Sequence, residues 1–134
     1  LLLIARQPRT IALLVLSTLP AGVVGLTLKD WFETAFDAPI LAGFGLLVTA
    51  GLLLVGQASE RPRHAAGEMP WLVGFLIGCF QAVALVPGIS RSGSTISGAL
   101  LLGVDRVAAT RFSFLLAIPV TCGAILLTLV DVVK

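Results

Sequence analysis

The sequence contains little charge. Only 12% of its 134 residues are charged, nine of them basic and seven acidic, whereas 57% are hydrophobic. Ordinary soluble domains carry about 25% charged residues. This deficit, together with several long uncharged stretches, excludes an ordinary soluble domain and predicts an all-α integral membrane protein.

The sequence also lacks the features of a nucleic-acid site or a cysteine metal site. The net charge is only +2, and no basic stripe or patch of interleaved basic and aromatic residues exists, so we expect no nucleic-acid partner. Cys79 and Cys122 lie in apolar runs without metal-ligand spacing around them. We predict that both are small buried hydrophobic residues, and a disulfide between them is left open.

A signal peptide and an initiator Met are absent, since the sequence opens with LLLIARQPRT. We therefore expect the chain to begin inside a larger protein. On this interpretation, residues 1–134 are a single but partial membrane domain.

Three stretches are long and apolar enough to cross a bilayer, which takes roughly 20 residues. They are residues 10–28, 38–56 and 112–130. Pro20 predicts a kink in the first stretch and Pro119 in the third. The connection KDWFETAFDAP is typical of a short amphipathic or looped segment, with Trp31 and Phe32 as anchors at the membrane interface.

Residues 69–104 predict a re-entrant helix-loop-helix. The second arm, Thr95–Val104, is about ten residues or roughly 15 Å of helix, half the thickness of the hydrocarbon core. A Pro-Gly and serine-rich break before this arm places the tip inside the membrane, where irregular backbone survives only in protein or beside a wet cavity. Helix ends that point into the midplane often hold ionic substrates in transporters built from inverted repeats.

Loop charges predict an orientation. If the first two spans cross fully, the arginines of the N-terminus and of residues 57–68 fall on one side, while the first connection is net negative. The positive-inside rule then places residues 57–68 in the cytoplasm. A re-entrant hairpin returns to that side, with Asp105, Arg106 and Arg111 at the cytoplasmic interface. The tip of the hairpin therefore faces away from the cytoplasm.

Arg91 is the one charged residue that stands apart from the charged clusters. A charge at bilayer depth is costly, so a function is the default expectation for it. The planar guanidinium has five donors that match phosphate oxygens in pairs. We predict that Arg91 holds an anion.

The segment VPGISRSGST surrounds this arginine. Pro87 and Gly88 break the incoming helix, and Gly93 permits a tight turn. Ser94 or Thr95 is a candidate N-cap for the next helix. The N-terminus of that helix would be a ready anion site.

The hydroxyls of Ser90, Ser92 and Ser94 fit two interpretations. They can donate to phosphate, which together with the arginine predicts a phosphate site within the membrane. Alternatively, they only cap the backbone and form the turn, while the arginine extends its charge to the interface. Gln81, on the helix that enters the break, hydrogen-bonds either across the cavity or to a neighbouring helix.

The same residues carry a resemblance to a known family. VPGISRSGSTISGALLLG, with GFLIGCFQAVAL before it and RFSFLLAIP after it, resembles the second signature of the undecaprenyl-diphosphate phosphatases, also known as bacitracin-resistance proteins. The Pro-Gly-x-Ser-Arg-Ser-x-x-Thr motif of that family matches Pro87–Thr95 at every fixed position. TLPAGVVGLTLKD resembles the kinked helix of the family, so that the resemblance covers nearly the whole chain.

The resemblance implies hydrolysis of undecaprenyl diphosphate to undecaprenyl phosphate and inorganic phosphate at the bacterial inner membrane. This reaction recycles the lipid carrier of cell-wall synthesis and confers bacitracin resistance. The implied fold is an inverted repeat in which two re-entrant hairpins meet at the active site. By analogy Arg91 clamps the diphosphate and Thr95 hydrogen-bonds it, and the lipid tail lies in the apolar groove between helices. The other candidates are Ser90 and Ser92 for catalysis, and Gln81, Pro87, Gly88, Gly93 and Ser94 for substrate binding.

The sequence departs from the family in one respect. The first signature, a Glu/Gln-x-x-x-Glu motif followed by a serine-rich loop and a histidine, is absent. Gln81 matches the first position of such a motif, but Leu85 stands where the second acid would be. His64 does not match the histidine of the family and is expected to be a solvated loop residue. The chain thus resembles a central or C-terminal piece with half of the site, and Mg²⁺ or Ca²⁺ would take its ligands from outside this chain.

Other functions stay open at this point. A re-entrant anion site also suits a transporter that moves a lipid phosphate without hydrolysis, and the chain alone can be an inactive scaffold. The expected partners are the polyprenyl diphosphate, membrane lipids and the missing half of the same protein, with a homo-oligomer left open. The attacking group, a side chain or water, is left open as well.

Overall fold

The structure, a computed structural model, describes residues 6–59, 61, 62, 64 and 69–134. The described residues form helices without a β-strand, which confirms the all-α prediction. The helices are α1 (Pro8–Thr27), α2 (Lys29–Phe36), α3 (Pro39–Ala58), α4 (Trp71–Val83), α5 (Arg91–Leu101) and α6 (Arg106–Val133). Three of them, α1, α3 and α6, are long and apolar enough to cross a membrane.

The ends of the long helices follow from local sequence. Both α1 and α3 begin with proline, whose fixed φ and missing N–H suit the first helical position. α6 begins earlier than the predicted third span, at Arg106, because the Asp105 carboxylate accepts hydrogen bonds from Val107 N and Ala108 N at 3.2 and 3.3 Å. The helices continue past Pro20 and Pro119.

The connection between the first two spans is the short helix α2. Trp31 is half exposed, as an interfacial anchor requires, whereas Phe32 is buried. The two rings meet edge to face, with centroids 5.1 Å apart. Phe32 is therefore a packing residue, and the prediction of a second anchor there was wrong.

The arms of the hairpin, α4 and α5, open towards the same end of the molecule. His64 N donates to Gly103 O, and Asp105 N donates to His64 O, each at 3.0 Å, so the chain before α4 runs beside the end of α5. Met69 and Val104 belong to the same core cluster. His64 is thus half buried and pairs through its backbone instead of lying in a solvated loop. Arg63, one of the arginines on which the predicted orientation depends, lies outside the described residues.

The core lies between the hairpin and the helices α1 and α6. Its largest members include Leu13, Ile77, Leu100, Phe112 and Leu116. The outer faces of α3 and α6 expose many large apolar side chains, which is the surface that a membrane, and not water, would cover.

Hydrophobicity did not identify every core residue. Phe112 is buried, but Phe114 is 62% exposed. Cys79 is half buried, whereas Cys122 is exposed, and both are free thiols. The prediction of burial was wrong for Cys122. An apolar side chain in a membrane helix can face lipid as readily as protein, which explains the exposure of both Phe114 and Cys122.

Candidate functional site

The helix α5 begins at the serine-rich segment. Ser90 is its N-cap: the Oγ atom accepts a hydrogen bond from Gly93 N at 3.1 Å, and the carbonyl oxygen accepts one from Ser94 N at 2.9 Å. The prediction that Ser94 or Thr95 caps this helix was wrong, and Arg91 lies in the first helical turn instead of a loop.

A chain of tight turns joins α4 to this cap. Leu85, Val86 and Ile89 each donate a backbone hydrogen bond to the carbonyl three residues earlier, at 3.2 Å. Gly88 has φ +86°, in the left-handed region that favours glycine. A Cβ at Gly88 would also overlap the backbone of Ala42 in α3, so both conformation and contact require glycine there.

The middle of α3 supports this turn. A Cβ at Gly45 would overlap the carbonyl oxygen of Pro87, which lies directly on the helix. One turn further, the Thr49 hydroxyl accepts a hydrogen bond from Ser90 N at 2.9 Å. The same hydroxyl lies 3.0 Å from Gly45 O and 3.3 Å from Gly88 O, either of which can accept its proton.

Three of the predicted site residues reach an accessible face at the start of α5. Arg91 is half exposed, and its Nη1 atom lies 3.4 Å from the Thr121 hydroxyl of α6, the acceptor of a long hydrogen bond. Ser92 is exposed, and its Oγ atom lies 3.4 Å from that of Ser90. At this helix start Ser90 N is bonded to Thr49 and Gly93 N to the Ser90 Oγ atom, which leaves the N–H groups of Arg91 and Ser92 without an intrahelical acceptor and able to bind an anion.

The other predicted residues support this face from behind. Pro87, Gly93, Ser94, Thr95 and Gln81 are buried, and Gly88 is half buried. Thr95, 1% exposed, donates to Arg91 O at 2.9 Å and shares a short hydrogen bond with the Ser113 hydroxyl. The Ser94 hydroxyl and the Gln81 amide have no hydrogen-bond partner among the described residues, so neither alternative for Gln81 is realised there.

The tip of the hairpin lies near the middle of the spanning helices. At 1.5 Å per residue, Thr49 lies about 15 Å along α3, whose total length is about 30 Å. Thr121 lies about 22 Å along α6, which is about 42 Å long. The accessible face of Arg91 is thus at a depth where lipid or a cavity, and not bulk water, would surround it.

Charged side chains outside this site lie at the two opposite ends of the molecule. Arg9 lies at the open end of the hairpin, where it donates to Met69 O at 3.0 Å and lies 5.7 Å over the Trp71 ring. At the opposite end, Lys29 of α2 forms an ion pair with Asp131 of α6. The hydrogen bond and charge of Asp131 raise the pKa of Lys29 above its ordinary value.

The part of the chain that the structure describes does not fit a metal site. Within the described ranges, no three His, Cys, Asp or Glu side chains lie close enough together to hold an ion. Asp105, the carboxylate nearest to α5 in sequence, lies at the far end of that helix and caps α6. No step of the chemistry is therefore assigned to a metal bound by these residues.

An apolar groove of about 450 Å³ runs between α1 and α6. Leu85, from the turn after α4, forms part of its wall, together with Pro119 and Val120, which precede Thr121. The groove is open because Gly22 and Gly123 carry no side chain and no atom lies within 4 Å of where a Cβ would be.

The sequence did not predict the supporting hydroxyls Thr49, Ser113 and Thr121. One signal was present for Thr49, which is the only polar side chain in PILAGFGLLVTAGLLLVG. It lies one turn after Gly45 and two turns before Gly56, and these two glycines contact the turn and α5. A hydroxyl on the glycine face of an apolar helix indicates a contact with irregular backbone.

Comparison with known proteins gives one family. Residues 4–134 match the family model of the bacitracin resistance protein BacA. The chain is 47% identical over 133 residues to an undecaprenyl-diphosphatase of Rhodopirellula baltica, covering 98% of this chain and 51% of the relative. It is 38% identical to an undecaprenyl-diphosphatase of Alkaliphilus metalliredigens, covering 91% and 44%. A Methanothermobacter thermautotrophicus undecaprenyl-diphosphatase is 43% identical, covering 90% and 68%. The chain thus spans about half the length of the first two relatives.

Proposed function

We propose, since this chain belongs to the bacitracin resistance protein BacA family, that it carries half of a site that hydrolyses undecaprenyl diphosphate to undecaprenyl phosphate and inorganic phosphate. The names of the relatives support this reaction. The other half of the site would come from a full-length protein that contains this sequence and is as long as those relatives.

The observation that carries the proposal is the accessible face at the start of α5. The guanidinium of Arg91, the hydroxyls of Ser90 and Ser92 and the first-turn N–H groups all lie at one helix end near mid-membrane. Each of these groups donates hydrogen bonds, and none adds negative charge. Such a set is complementary to a diphosphate and not to an apolar ligand.

The arrangement suits phosphoryl transfer. When the bond between the terminal phosphorus and the bridging oxygen breaks, negative charge grows on the leaving undecaprenyl phosphate, and Arg91 with the helix N-terminus would stabilise it. The oxygen that attacks the phosphorus comes from water or from a hydroxyl. Thr95 stays a predicted site residue, and in this chain its hydroxyl holds the first turn of α5.

A general base is needed from elsewhere in the full-length protein. An attacking serine or water must lose a proton to a nearby base. The described His64 lies at the open end of the hairpin, beside Gly103 and away from the tip. We propose that carboxylates outside this chain supply the base and also the ligands for Mg²⁺ or Ca²⁺, as hard oxygen donors do.

The apolar groove between α1 and α6 would hold part of the polyprenyl tail. The groove is bordered by Leu85, which belongs to the turn after α4, and by Val120, which precedes Thr121. A diphosphate held by Arg91 would therefore place the first isoprene units beside the groove entrance.

The orientation follows from the arginines. Arg9, Arg61 and Arg111 are at the end where the hairpin opens, and the positive-inside rule assigns this end to the cytoplasm. We propose a multi-pass protein of the bacterial inner membrane whose site faces away from the cytoplasm. There it would recycle the lipid carrier of cell-wall synthesis and confer bacitracin resistance. A homo-oligomer is compatible with the large exposed apolar surface.

The experiment is a paired assay on the full-length protein in proteoliposomes. Release of inorganic phosphate from undecaprenyl diphosphate is measured together with movement of the lipid between leaflets. Phosphate release with a saturable dependence on the lipid supports the proposal. Lipid movement without phosphate release would contradict it and favour the transporter. The isolated chain serves as a control, and activity there would contradict the two-half account.

A further inference from the structure

Thr49 stands out among the buried polar residues because it contacts irregular backbone instead of a neighbouring helix. Its side chain is 8% exposed. Its hydroxyl oxygen accepts the Ser90 N–H at 2.9 Å, and its proton can go to Gly45 O or Gly88 O. Whichever carbonyl takes the proton, the lone pair that faces Ser90 N stays available.

The Ser90 N–H has no acceptor inside α5, since Ser90 precedes the first helical residue. The Thr49 hydroxyl replaces the carbonyl that a regular helix would supply. Ser90 in turn accepts hydrogen bonds from Gly93 N and Ser94 N. One side chain of α3 therefore fixes the residue from which the first turn of α5 is built.

The methyl group of Thr49 lies beside the same turn. A Cβ added at Gly93 would lie 3.4 Å from the Thr49 Cγ2 atom, which is ordinary contact distance. The hydroxyl thus contacts the N-cap Ser90, and the methyl group lies beside Gly93, so that Thr49 faces the residues on both sides of Arg91. Among the described residues, the side chain of Arg91 has only the long contact to Thr121, so the turn from which it extends has a large influence on where the guanidinium lies.

We propose that Thr49 is a positioning residue of the phosphate site, which sets the position of Arg91 through Ser90. The proposal rests on the proposed function, and it adds a residue outside the serine-rich segment. Thr49 itself does not touch the substrate. Its contribution is the geometry of donors that must meet phosphate oxygens, and an error of about 1 Å in such a site can cost about a hundredfold in rate.

The test compares Thr49→Ser with Thr49→Ala in the full-length protein. Both variants lack the methyl group and differ by one oxygen. We expect Ser to keep kcat/KM for undecaprenyl diphosphate within about threefold, and Ala to lower it between about tenfold and a hundredfold, as for a displaced catalytic group. Thr110→Val is the matched control, because the Thr110 hydroxyl bonds only to Arg106 O of its own helix.

A second readout separates positioning from folding. Inorganic pyrophosphate is used as the probe, and the rise in Tm that it causes is measured for each variant. A smaller folded fraction lowers kcat but leaves KM and pyrophosphate binding unchanged, whereas a displaced Arg91 raises KM and weakens the binding. We therefore expect the Ala variant, and not the Ser variant, to need more pyrophosphate for the same rise in Tm.

Two results would overturn the proposal. The first is equal kcat/KM and pyrophosphate binding in the Ser and Ala variants. The second is an Ala variant that loses stability while the remaining folded protein keeps its KM and pyrophosphate affinity. Failure of the proposed function gives a different result, since the wild-type protein would then release no phosphate, whatever residue stands at position 49.

Discussion

Two helix crossings in this molecule are built from the same kinds of small residue but support different structures. Where α1 meets α4, Gly78 lies against the Ser17 backbone, and the Ser17 hydroxyl lies 2.6 Å from Gly74 O. Where α3 meets the turn, Gly45 lies against Pro87 O, and the Thr49 hydroxyl binds Ser90 N. Each crossing combines a glycine with one buried hydroxyl.

The difference lies in what the hydroxyl binds. The carbonyls that Ser17 contacts, Leu13 O and Gly74 O, belong to helices and have ladder partners of their own. The Ser90 N–H has no such partner. The first crossing therefore joins two regular helices, whereas the second holds a break whose free polar groups lie at the proposed phosphate site.

Of the changes that test this comparison, a methyl group at the second crossing has the largest expected effect. Gly45→Ala places a Cβ against the Pro87 carbonyl and must move the turn, so we expect phosphate release by the full-length protein to fall at least tenfold, the factor for about 1.4 kcal/mol. Gly78→Ala should cost about 1–3 kcal/mol of stability but leave KM unchanged.

Thermal unfolding and the phosphate-release assay measure both effects. Gly43→Ala is the control in the same helix, because nothing lies within 4 Å of its added Cβ. Unchanged phosphate release in Gly45→Ala, or a raised KM in Gly78→Ala, would contradict the distinction between the two crossings.

A smaller effect is expected in the apolar groove between α1 and α6. Gly123→Leu fills space that is open beside Pro119 and should raise KM for undecaprenyl diphosphate about tenfold, which corresponds to about 1.4 kcal/mol of lost contact. KM for farnesyl diphosphate should change less, because its tail is shorter. Gly123→Ala leaves the groove nearly open and is the matched control. Equal effects on both substrates would place the tail elsewhere.

Removal of the hydroxyl at the first crossing should matter less still. Ser17→Ala leaves both carbonyls in their helical ladders, so we expect a loss of about 1 kcal/mol or less in the free energy of unfolding. Phosphate release at saturating substrate should stay within about twofold of wild type. A loss of activity as large as that of Thr49→Ala would show that the two hydroxyls act alike.

The smallest effect concerns the ion pair at the far end, away from both crossings. Because Asp131 raises the pKa of Lys29 in the folded protein, the pair stabilises the fold fully below the ordinary pKa of about 10.5 and is lost as the pH rises through the raised value. Lys29→Gln should therefore remove only a slight alkaline dependence of Tm. A change in KM in this variant would contradict the separation of this end from the site.

The apolar runs sufficed to predict the spanning helices and the hairpin. Residues 38–56 nearly coincide with α3, because a long run without charge leaves a lipid-exposed backbone no alternative to a helix. The isolated charge of Arg91 lies at the start of α5, and the phosphate site there stays a prediction.

The start of α5 could not be predicted from the sequence. The segment SRSGST contains four residues that can each cap a helix, namely Ser90, Ser92, Ser94 and Thr95. Ser90, which caps the helix, donates its backbone N–H to the Thr49 hydroxyl, a partner 41 residues away in sequence. Local N-cap propensity does not predict such a long-range contact.

The sequence also did not predict which apolar side chains of a spanning helix face the core. Phe114 and Cys122 lie in the same apolar helix as Phe112, yet only Phe112 faces the core. In a membrane helix lipid and protein are both apolar, so hydropathy does not distinguish the two faces.

The measurement that tests the central claim most directly is phosphate release by the full-length protein with Arg91→Ala, Arg91→Lys and the exposed control Arg111→Ala. We expect Ala to lower kcat/KM about a thousandfold, as loss of a transition-state donor does, and Lys to recover only part of it, because a point charge lacks the paired donors. The Arg111 variant should remain as active as wild type, and all Tm values should agree. An Arg91→Ala variant with full activity would show that the start of α5 does not hold the diphosphate.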